Sequence, residues 1–333
     1  MAKVRLAILG CGGMAGGHAQ RFAQNPDVEI VALCDVTLDI VTEFRERHLA
    51  KLATPPALYT DPARMYAEVK PDAVSIVTPH TLHYDHGVQA LEAGCHVLME
   101  KPMVTDSGQA HRLAAKVKAS GKVFVVGYNT PCTPEFAYLR ELLRSKELGR
   151  LEVISGWLSQ NWERGTKGRW RQDPALSGGG QMYDSGAHLF NSLVWLVEQP
   201  VADVHAFVDN HDTLVDINGT VNIRFADGTI ANIAIAGNCT DAGAGLTLCC
   251  SDGRVEVDGW GGGWIRIWKA GRQIKYPVIT GEAGTPMDNF IDAILGRAEP
   301  RTSPVNGVIQ SELMDAIYES ARTGTQVTVK SQA

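Results

Sequence analysis

The chain has 333 residues, of which 44% are hydrophobic and 20% charged, and its formal net charge at pH 7 is -6. Single hydrophobic cores stop growing at roughly 250 residues, so this length predicts about two domains. The mild negative charge disfavours nucleic acid and anionic membranes as partners, because neither would attract the protein over a distance.

The sequence is typical of a cytoplasmic protein. Its N-terminal residues lead directly into an apolar strand, without the long apolar stretch of a signal peptide, and no apolar run approaches the roughly 20 residues that span a bilayer. The seven cysteines are scattered and lack the spacing of metal ligands, which is typical of reduced thiols. We therefore expect no membrane segment and no metal.

The first third of the chain alternates short apolar strands with helices. Strands are expected at 4–9, 28–34, 73–77, 96–99 and 123–126, and helices at 16–24, 38–48, 83–93 and 108–119. The strands are apolar throughout, as expected where a parallel sheet is covered on both faces. This pattern predicts a doubly wound parallel sheet, an α/β Rossmann domain, which we place at residues 1–128.

The pattern changes after residue 149, where turn pairs such as Asp227-Gly228 join segments that alternate apolar and polar residues. Strands are expected at 152–160, 201–208, 220–225, 229–235, 246–250, 254–257, 264–268 and 326–329, and helices at 287–295 and 308–321. We expect residues 129–333 to form an α+β domain, an open, mostly antiparallel sheet with helices on one face.

A glycine-rich motif follows the first strand and opens the first helix. Residues 10–15 fit G-x-G-x-x-A: glycine at 10 permits a tight turn, glycine at 12 lets the backbone approach a pyrophosphate, and alanine at 15 keeps the helix close to the strand. The helix N-terminus offers unpaired N–H groups to phosphates. The motif predicts a dinucleotide site at Gly10, Gly12, Gly13, Met14 and Ala15.

Asp35 ends the second strand about 20 residues after the glycines, where an acid binds the ribose hydroxyls. A carboxylate at this position would repel a 2′-phosphate, so NAD(H) is favoured over NADP(H) as cofactor. The alternative role for Asp35 is a helix cap, which Thr37 could serve instead.

Two further strand ends carry candidate contacts, because ligands bind at the carboxyl ends of parallel strands. Residues 78–83 are expected to contact the cofactor through Thr78, Pro79, His80 and His83. The sequence Glu100-Lys101-Pro102 then places a lysine where it could reach the nicotinamide, with Glu100 beside it. The alternative for Glu100 and Lys101 is an ion pair at the sheet rim, which would contribute little.

A third segment, residues 170–188, favours catalysis. Its triple glycine at 178–180 permits close approach of the backbone to a ligand. Asp184 and His188 are four residues apart and share a helix face, and a neighbouring carboxylate raises the basicity of an imidazole and orients it, as a general base requires. The alternative is a structural histidine at a helix start, which explains fewer of these features. Trp170 and Arg171 are candidate substrate contacts, although tryptophans at a domain junction are more often core.

With these motifs in this order, the chain resembles the glucose–fructose oxidoreductase and inositol dehydrogenase family over essentially its whole length. The resemblance implies Lys101 and His188 as a catalytic pair, Asp184 in the substrate pocket, and the open sheet as the interface of a homodimer or homotetramer. One departure is His80, where relatives usually carry asparagine. Another follows Asn129, an expected cofactor contact: two arginines of many relatives are absent there, which disfavours a phosphorylated or nucleotide sugar.

These observations predict an NAD-dependent enzyme that transfers a hydride between a hydroxyl carbon of a sugar or cyclitol and nicotinamide. His188 would take the hydroxyl proton, and Lys101 would stabilise the alkoxide. One alternative is a redox-neutral lyase or glycoside hydrolase that retains its NAD, as in some members of this family. Another is a non-catalytic NAD(H) sensor, which the intact Lys101, Asp184 and His188 argue against.

Overall fold

A computed structural model describes residues 2–260, 262–275, 277–281 and 283–329. Contacts divide the chain into two units. The first comprises the chain up to Val104, Gly108–Gly127 and Thr285–Gly307, and the second comprises Thr105–Ser107, Tyr128–Gly284 and the chain from Val308 onward.

The first unit contains a six-stranded sheet in which all neighbouring strands are parallel, in the order β3-β2-β1-β4-β5-β6. Its strands β1 to β6 are Val4–Leu9, Val28–Cys34, Ala57–Tyr59, Ala73–Ile76, His96–Met99 and Phe124–Val126. The helices α1 to α5 are Gly13–Gln24, Leu38–His48, Pro62–Val69, His83–Glu92 and Ser107–Ser120. This is the predicted Rossmann sheet, with one short strand and one helix, β3 and α3, that the sequence analysis missed.

Beyond this sheet, helices α6 to α9 are Pro134–Arg144, Trp162–Thr166, Pro174–Ser177 and Gly186–Val197. Strands β7 to β14 are Leu151–Asn161, Val201–Asp209, Asn218–Phe225, Ile230–Ala236, Asn238–Cys250, Gly253–Asp258, Ile265–Lys269 and Arg272–Ile274. The chain continues with α10, α11 and β15, which are Pro286–Ile294, Pro304–Thr323 and Val327–Thr328. The sheet of the second unit has nine strands in the order β14-β13-β12-β11-β7-β10-β9-β8-β15.

The nine-stranded sheet is antiparallel except where β7 and β10 pair in parallel, which confirms the predicted mostly antiparallel sheet. Its core joins side chains of α6, α9 and α11 to one face of the sheet, including Ile154 and Leu158 of β7. The alternating residues of the same strand, Val153 and Trp157, are exposed. One face of the sheet is therefore covered by helices, and the other presents apolar side chains outward.

Segment Thr285–Gly307 belongs to the first unit by its contacts, whereas the sequence analysis assigned it to the second domain. The reason is apolar packing: Phe290 and Ile291 of α10 are fully buried in the core cluster that contains β1 and β2. Within the described part of the chain, no helix combines the length and the apolarity that crossing a membrane requires.

Candidate active site

The glycine-rich loop joins β1 to α1 in the first unit. Gly10 has a φ of +93°, and a Cβ there would lie 2.6 Å from the carbonyl oxygen of Val77, so the turn requires glycine. Gly12 and Gly13 differ, because among the described residues no heavy atom lies within 4 Å of a Cβ added to either. The backbone at Gly12 and Gly13 is therefore open to a ligand.

The helix that follows fits a bound pyrophosphate. Ala15 is fully buried in the core, so the small side chain lets α1 pack close to the sheet, while Met14 is exposed. Helix α1 begins at Gly13, and the backbone N–H groups of a first helical turn carry partial positive charge toward an anion. The loop and the helix together provide a cradle for the phosphates of a dinucleotide.

Asp35 follows β2 and holds the glycine-rich loop. One of its carboxylate oxygens accepts the backbone N–H of Cys11 at 2.6 Å, and the other accepts the N–H of Val36 at 2.6 Å. The cap of α2 is Thr37, whose side chain accepts a backbone N–H of the first turn. Asp35 is therefore not the helix cap that was its alternative role, and it lies beside the loop that would bind the pyrophosphate.

The carboxyl end of β4 leads into the segment with four predicted cofactor contacts. The hydroxyl of Thr78 lies 3.0 Å from Nδ1 of His86. His83 is fully buried, with its ring nitrogens 2.9 Å from the carbonyl oxygen of Thr78 and 2.7 Å from that of Pro102. Burial lowers the pKa of His83, and these two hydrogen bonds oppose that shift. Both ring nitrogens of His83 thus face backbone carbonyl oxygens of the same unit, and its predicted contact with a cofactor remains a prediction.

His80, in the same segment, packs against His83. His80 is buried, and its ring centroid lies 5.8 Å from that of His83 in an edge-on arrangement. Pro79 precedes it in extended conformation and is partly buried. The predicted contacts of Thr78, Pro79 and His80 with a cofactor remain predictions.

Glu100 and Lys101 follow β5, and both are buried, with exposed fractions of 7% and 8%. Glu100 accepts from the ring of His18 in α1, at 3.0 Å between Oε1 and Nε2. Its other oxygen accepts the backbone N–H of Lys101 at 3.3 Å. The predicted role of Lys101 at the nicotinamide and its alternative, an ion pair with Glu100 at the sheet rim, both remain predictions. The peptide bond between Lys101 and Pro102 is cis.

The triple glycine of the second unit packs against protein. An added Cβ would lie 2.5 Å from Thr105 at Gly178, 2.4 Å from the hydroxyl of Tyr318 at Gly179, and 2.0 Å from the backbone of Asp216 at Gly180. These glycines were expected to permit close approach of the backbone to a ligand. The structure gives a different reason, which is close approach of neighbouring chain segments.

Asp216 holds the chain beyond the glycines and was missed by the sequence analysis. Its buried carboxylate accepts the backbone N–H groups of Gly180 at 2.6 Å and Met182 at 2.7 Å, and the hydroxyl of Tyr318 at 2.5 Å. The backbone carbonyl of Asp216 accepts the N–H of Gln181 at 2.9 Å. Burial raises the pKa of Asp216, and the three donors oppose that shift. Asp216 therefore fixes the segment from which Asp184 projects.

Asp184 lies just before α9, with its carboxylate buried. The same carboxylate oxygen accepts the indole N–H of Trp162 at 2.8 Å and the Nε–H of Arg171 at 2.9 Å. The guanidinium of Arg171 also lies 4.5 Å from the ring centroid of Trp170. The structure thus brings together three of the predicted substrate contacts, Trp170, Arg171 and Asp184. The predicted action of Asp184 on His188 remains a prediction.

His188 is the third residue of α9 and is bordered by two aromatic rings. Its ring centroid lies 4.5 Å from that of Trp260 at a tilt of 44°, and 5.7 Å from that of Tyr128, which stands edge-on. His188 is 7% exposed, whereas Trp260 is 36% exposed. The backbone of Trp260 is held by Asp258, at 3.0 Å, and by the hydroxyl of Thr130, at 3.2 Å. Trp260 was not among the site residues predicted from the sequence.

Asn129 follows Tyr128, belongs to the second unit and is exposed. It precedes a single turn of 3₁₀ helix, in which its carbonyl oxygen accepts the N–H of Cys132 at 2.8 Å. The predicted cofactor contact of Asn129 remains a prediction.

The parallel sheet, the open glycine-rich loop and the acid after β2 define a dinucleotide-binding Rossmann domain. The same chain contains an α+β domain in which a buried carboxylate and a buried histidine flank the start of one helix. These features define the class of the protein as a two-domain dinucleotide-binding protein.

Comparison with known families agrees with this class. Residues 4–128 match the model described as "Oxidoreductase family, NAD-binding Rossmann fold", and residues 136–256 match the "GFO/IDH/MocA C-terminal domain". The chain belongs to the GFO/IDH/MocA family of oxidoreductases, which confirms the resemblance drawn from its motifs.

Similar proteins differ in substrate and cofactor. A D-glucoside 3-dehydrogenase of Escherichia coli is 26% identical, over 97% of this chain and 97% of its own. The scyllo-inositol 2-dehydrogenase (NADP(+)) IolW of Bacillus subtilis is 30% identical, over 43% of this chain and 40% of its own. The WlbA dehydrogenase of Bordetella pertussis, solved with NADH and UDP-GlcNAcA, has the same fold, with a TM-score of 0.87, 24% identity, and coverage of 98% and 99% of the two chains.

Proposed function

We propose that this protein is an NAD(H)-dependent oxidoreductase that transfers a hydride between a hydroxyl carbon of a sugar or cyclitol and nicotinamide. The observation that carries the proposal is the burial of Lys101, Asp184 and His188. Burying ionisable side chains costs free energy, and such groups are kept where chemistry uses them. Relatives named for glucoside and inositol oxidation support the substrate class.

In the proposed reaction, His188 accepts the proton of the substrate hydroxyl while the carbon loses a hydride. Lys101 stabilises the negative charge that develops on the oxygen. Asp184, bound by Arg171 and Trp162, fixes one wall of the substrate pocket. When bound, the nicotinamide cofactor supplies the hydride acceptor, and its pyrophosphate would be held at Gly12 and Gly13.

The cofactor preference is proposed to be NAD(H). The carboxylate of Asp35 would repel a 2′-phosphate, and residues 36–44 contain no lysine or arginine to bind one. Replacing Asp35 with serine is expected to lower the preference for NAD over NADP by tenfold or more, measured as the ratio of the two kcat/KM values, a change of about 1.4 kcal/mol. An unchanged ratio would remove Asp35 from this role.

The substrate is proposed to be an uncharged ring. The half-exposed indole of Trp260 lies against His188, and an aromatic face suits the C–H surface of a pyranose or cyclitol. The guanidinium of Arg171 is already paired with Asp184, so its charge is balanced within the protein. The absence of the two arginines after Asn129 also disfavours an anionic sugar.

The test is the growth of NADH absorbance with purified enzyme, NAD or NADP, and a panel of inositols, aldoses and sugar acids. We expect turnover with at least one neutral polyol and NAD, and a fall in kcat of about 10²- to 10⁴-fold in His188→Ala. Unchanged turnover in that variant would exclude His188 as the base. A flat trace with all substrates, with NAD released on denaturation, would favour the redox-neutral alternative.

The open face of the nine-stranded sheet is proposed to form a homodimer or homotetramer. Val153, Trp157, Phe207 and Ile230 are exposed there, and contiguous apolar surface of this kind marks interfaces. A shallow groove of about 410 Å³ lies between Trp157 and Phe207. Light scattering should give the mass of an oligomer for the native chain and of a monomer for Trp157→Glu. The seven cysteines are scattered along the chain without the spacing of metal ligands, a pattern typical of reduced thiols that supports the proposed cytoplasmic location.

A further inference from the structure

Three buried polar side chains form a hydrogen-bonded line inside the first unit. His18 of α1 lies between Ser75 of β4 and Glu100, which follows β5. Nδ1 of His18 is 2.9 Å from the hydroxyl oxygen of Ser75, and Nε2 is 3.0 Å from Oε1 of Glu100. All three residues are less than one-tenth exposed. Only Glu100 of the three was a predicted site residue.

The charge of Glu100 fixes which atoms of this line donate hydrogen bonds and which accept them. An ionised Glu100 only accepts hydrogen bonds, so Nε2 of His18 must carry the hydrogen and donate it. Nδ1 is then paired with the hydroxyl of Ser75, which can donate or accept. The second oxygen of Glu100 accepts the backbone N–H of Lys101 at 3.3 Å. The line therefore ends at the backbone of the lysine that we propose to be catalytic.

The neighbouring chain restricts the position of the Glu100 carboxylate. A Cβ added at Gly127 would lie 3.0 Å from Oε1 of Glu100, so the chain passes directly beside the carboxylate. A buried carboxylate is costly unless it is paired, and removing its partner leaves that cost uncompensated. His18 is such a partner, and it belongs to the helix whose first turn faces the pyrophosphate site.

We propose that His18 is a positioning residue that acts through Glu100 to hold Lys101, with Ser75 orienting the imidazole. The network joins the helix of the cofactor loop to the catalytic lysine within one unit. This inference rests on the proposed function, because the proposed hydride transfer is the reaction in which Lys101 has its role.

The kinetic test compares two amide substitutions of His18. Glutamine places its amide nitrogen near the position of Nε2 and can donate to Glu100, whereas asparagine is shorter and reaches only the Nδ1 position. With enzyme concentration fixed by NADH titration, His18→Asn is expected to lower kcat about 10- to 100-fold, and His18→Gln to restore most of it. The dissociation constant of NADH should change less than kcat in both variants.

The control is His96→Asn, at the opposite end of β5. His96 is partly buried and accepts the backbone N–H of Val123 at 2.9 Å, a contact that asparagine can retain. We expect native kcat in this variant. Equal loss of kcat in both amide variants of His18, or no loss in either, would overturn the proposal, because a general packing role does not distinguish which ring nitrogen is replaced.

A second measurement does not require a substrate. Amide hydrogen exchange in peptides covering residues 99–104 should be faster in His18→Asn and Ser75→Ala than in the native holoenzyme and His18→Gln. Equal exchange in all four proteins would overturn the network even if the enzyme turns over a polyol. Faster exchange in an enzyme that oxidises no member of the panel would instead indicate that the proposed function, and not the network, is wrong.

Discussion

Two segments of this protein are rich in glycine, but the physical reason for the glycines differs between them. In the loop between β1 and α1, Cβ atoms added to Gly12 and Gly13 would meet none of the described residues within 4 Å. In the run from Gly178 to Gly180, each added Cβ would lie 2.0 to 2.5 Å from another part of the protein. The first segment keeps space for a ligand, and the second lets chain segments pack closely.

A glycine-rich motif can therefore indicate either space for a ligand or close packing of chain segments, and substitutions distinguish the two. A substitution at Gly12 or Gly13 should affect the affinity for the cofactor and change stability little. A substitution in the second should affect stability first, and catalysis through it, because Asp216 holds the backbone around Gly180 and Met182.

The largest effect is expected for Gly180→Ala. Its Cβ would lie 2.0 Å from the backbone carbonyl oxygen of Asp216, and backbone atoms cannot move aside as a flexible side chain can. Overpacking of this kind should lower the free energy of unfolding by about 3 kcal/mol or more, measured by urea denaturation. Gly165→Ala is the matched control in the same unit, since Gly165 is exposed and has open space within the described structure. Equal stability of the two variants would show that the run is not constrained by packing.

A smaller and different effect is expected for Gly12→Ala. Gly12 has a φ of -80°, which alanine adopts without strain, so stability should change by less than about 0.5 kcal/mol. The methyl group would enter the space proposed for the pyrophosphate, and the dissociation constant of NADH, measured by fluorescence, should rise about tenfold or more. Gly17→Ala, in the helix that follows Gly12 and also facing open space among the described residues, is the control. Native affinity in Gly12→Ala would place the pyrophosphate elsewhere.

The fold was largely predictable where burial imposes a local pattern. The bounds of β1, β2 and α2 are those expected from the sequence, because strands covered on both faces are continuous apolar runs. The missed β3 has three residues and lies at the edge of the sheet, too short to show a pattern. The missed α3 did carry a local signal, since Asp61 caps it and Pro62 begins it.

Strand β11 was predicted at 246–250 only, whereas it spans Asn238–Cys250. Its first half is polar or glycine-rich and pairs with β7 across an irregular register. Pairing there depends on a partner strand that is remote in sequence, so no local alternation indicates it.

The candidate site was predictable where its residues form local motifs and not where they are assembled by the fold. Gly10, Asp35 and the segments with Lys101 and His188 follow from spacing along the chain. Asp216 lies 36 residues from Gly180, whose N–H it accepts. In the sequence, only its position between two apolar residues indicates that its carboxylate is buried. His18 and Trp260 likewise could not be predicted, because their contacts are made by the fold and do not follow from spacing along the chain.

The last effect concerns the charge of Asp216. Asparagine keeps an oxygen for Gly180 and Tyr318 but presents an amide group to the N–H of Met182, so Asp216→Asn should lower the free energy of unfolding by about 1–3 kcal/mol. Burial raises the pKa of Asp216 in the folded state.

A raised pKa fixes the sign of the pH dependence of this difference. The contribution of Asp216 is complete below the pKa of about 3.9 in the unfolded chain and decreases as the pH rises through the higher pKa of the folded state. Because asparagine does not titrate, the deficit of Asp216→Asn should be largest near pH 4 and smaller at pH 7, measured by urea denaturation at both values. A deficit that grows with pH would mean that the three donors outweigh burial. The segment before α9 would then be held by a charged carboxylate that is stabilised in the folded state.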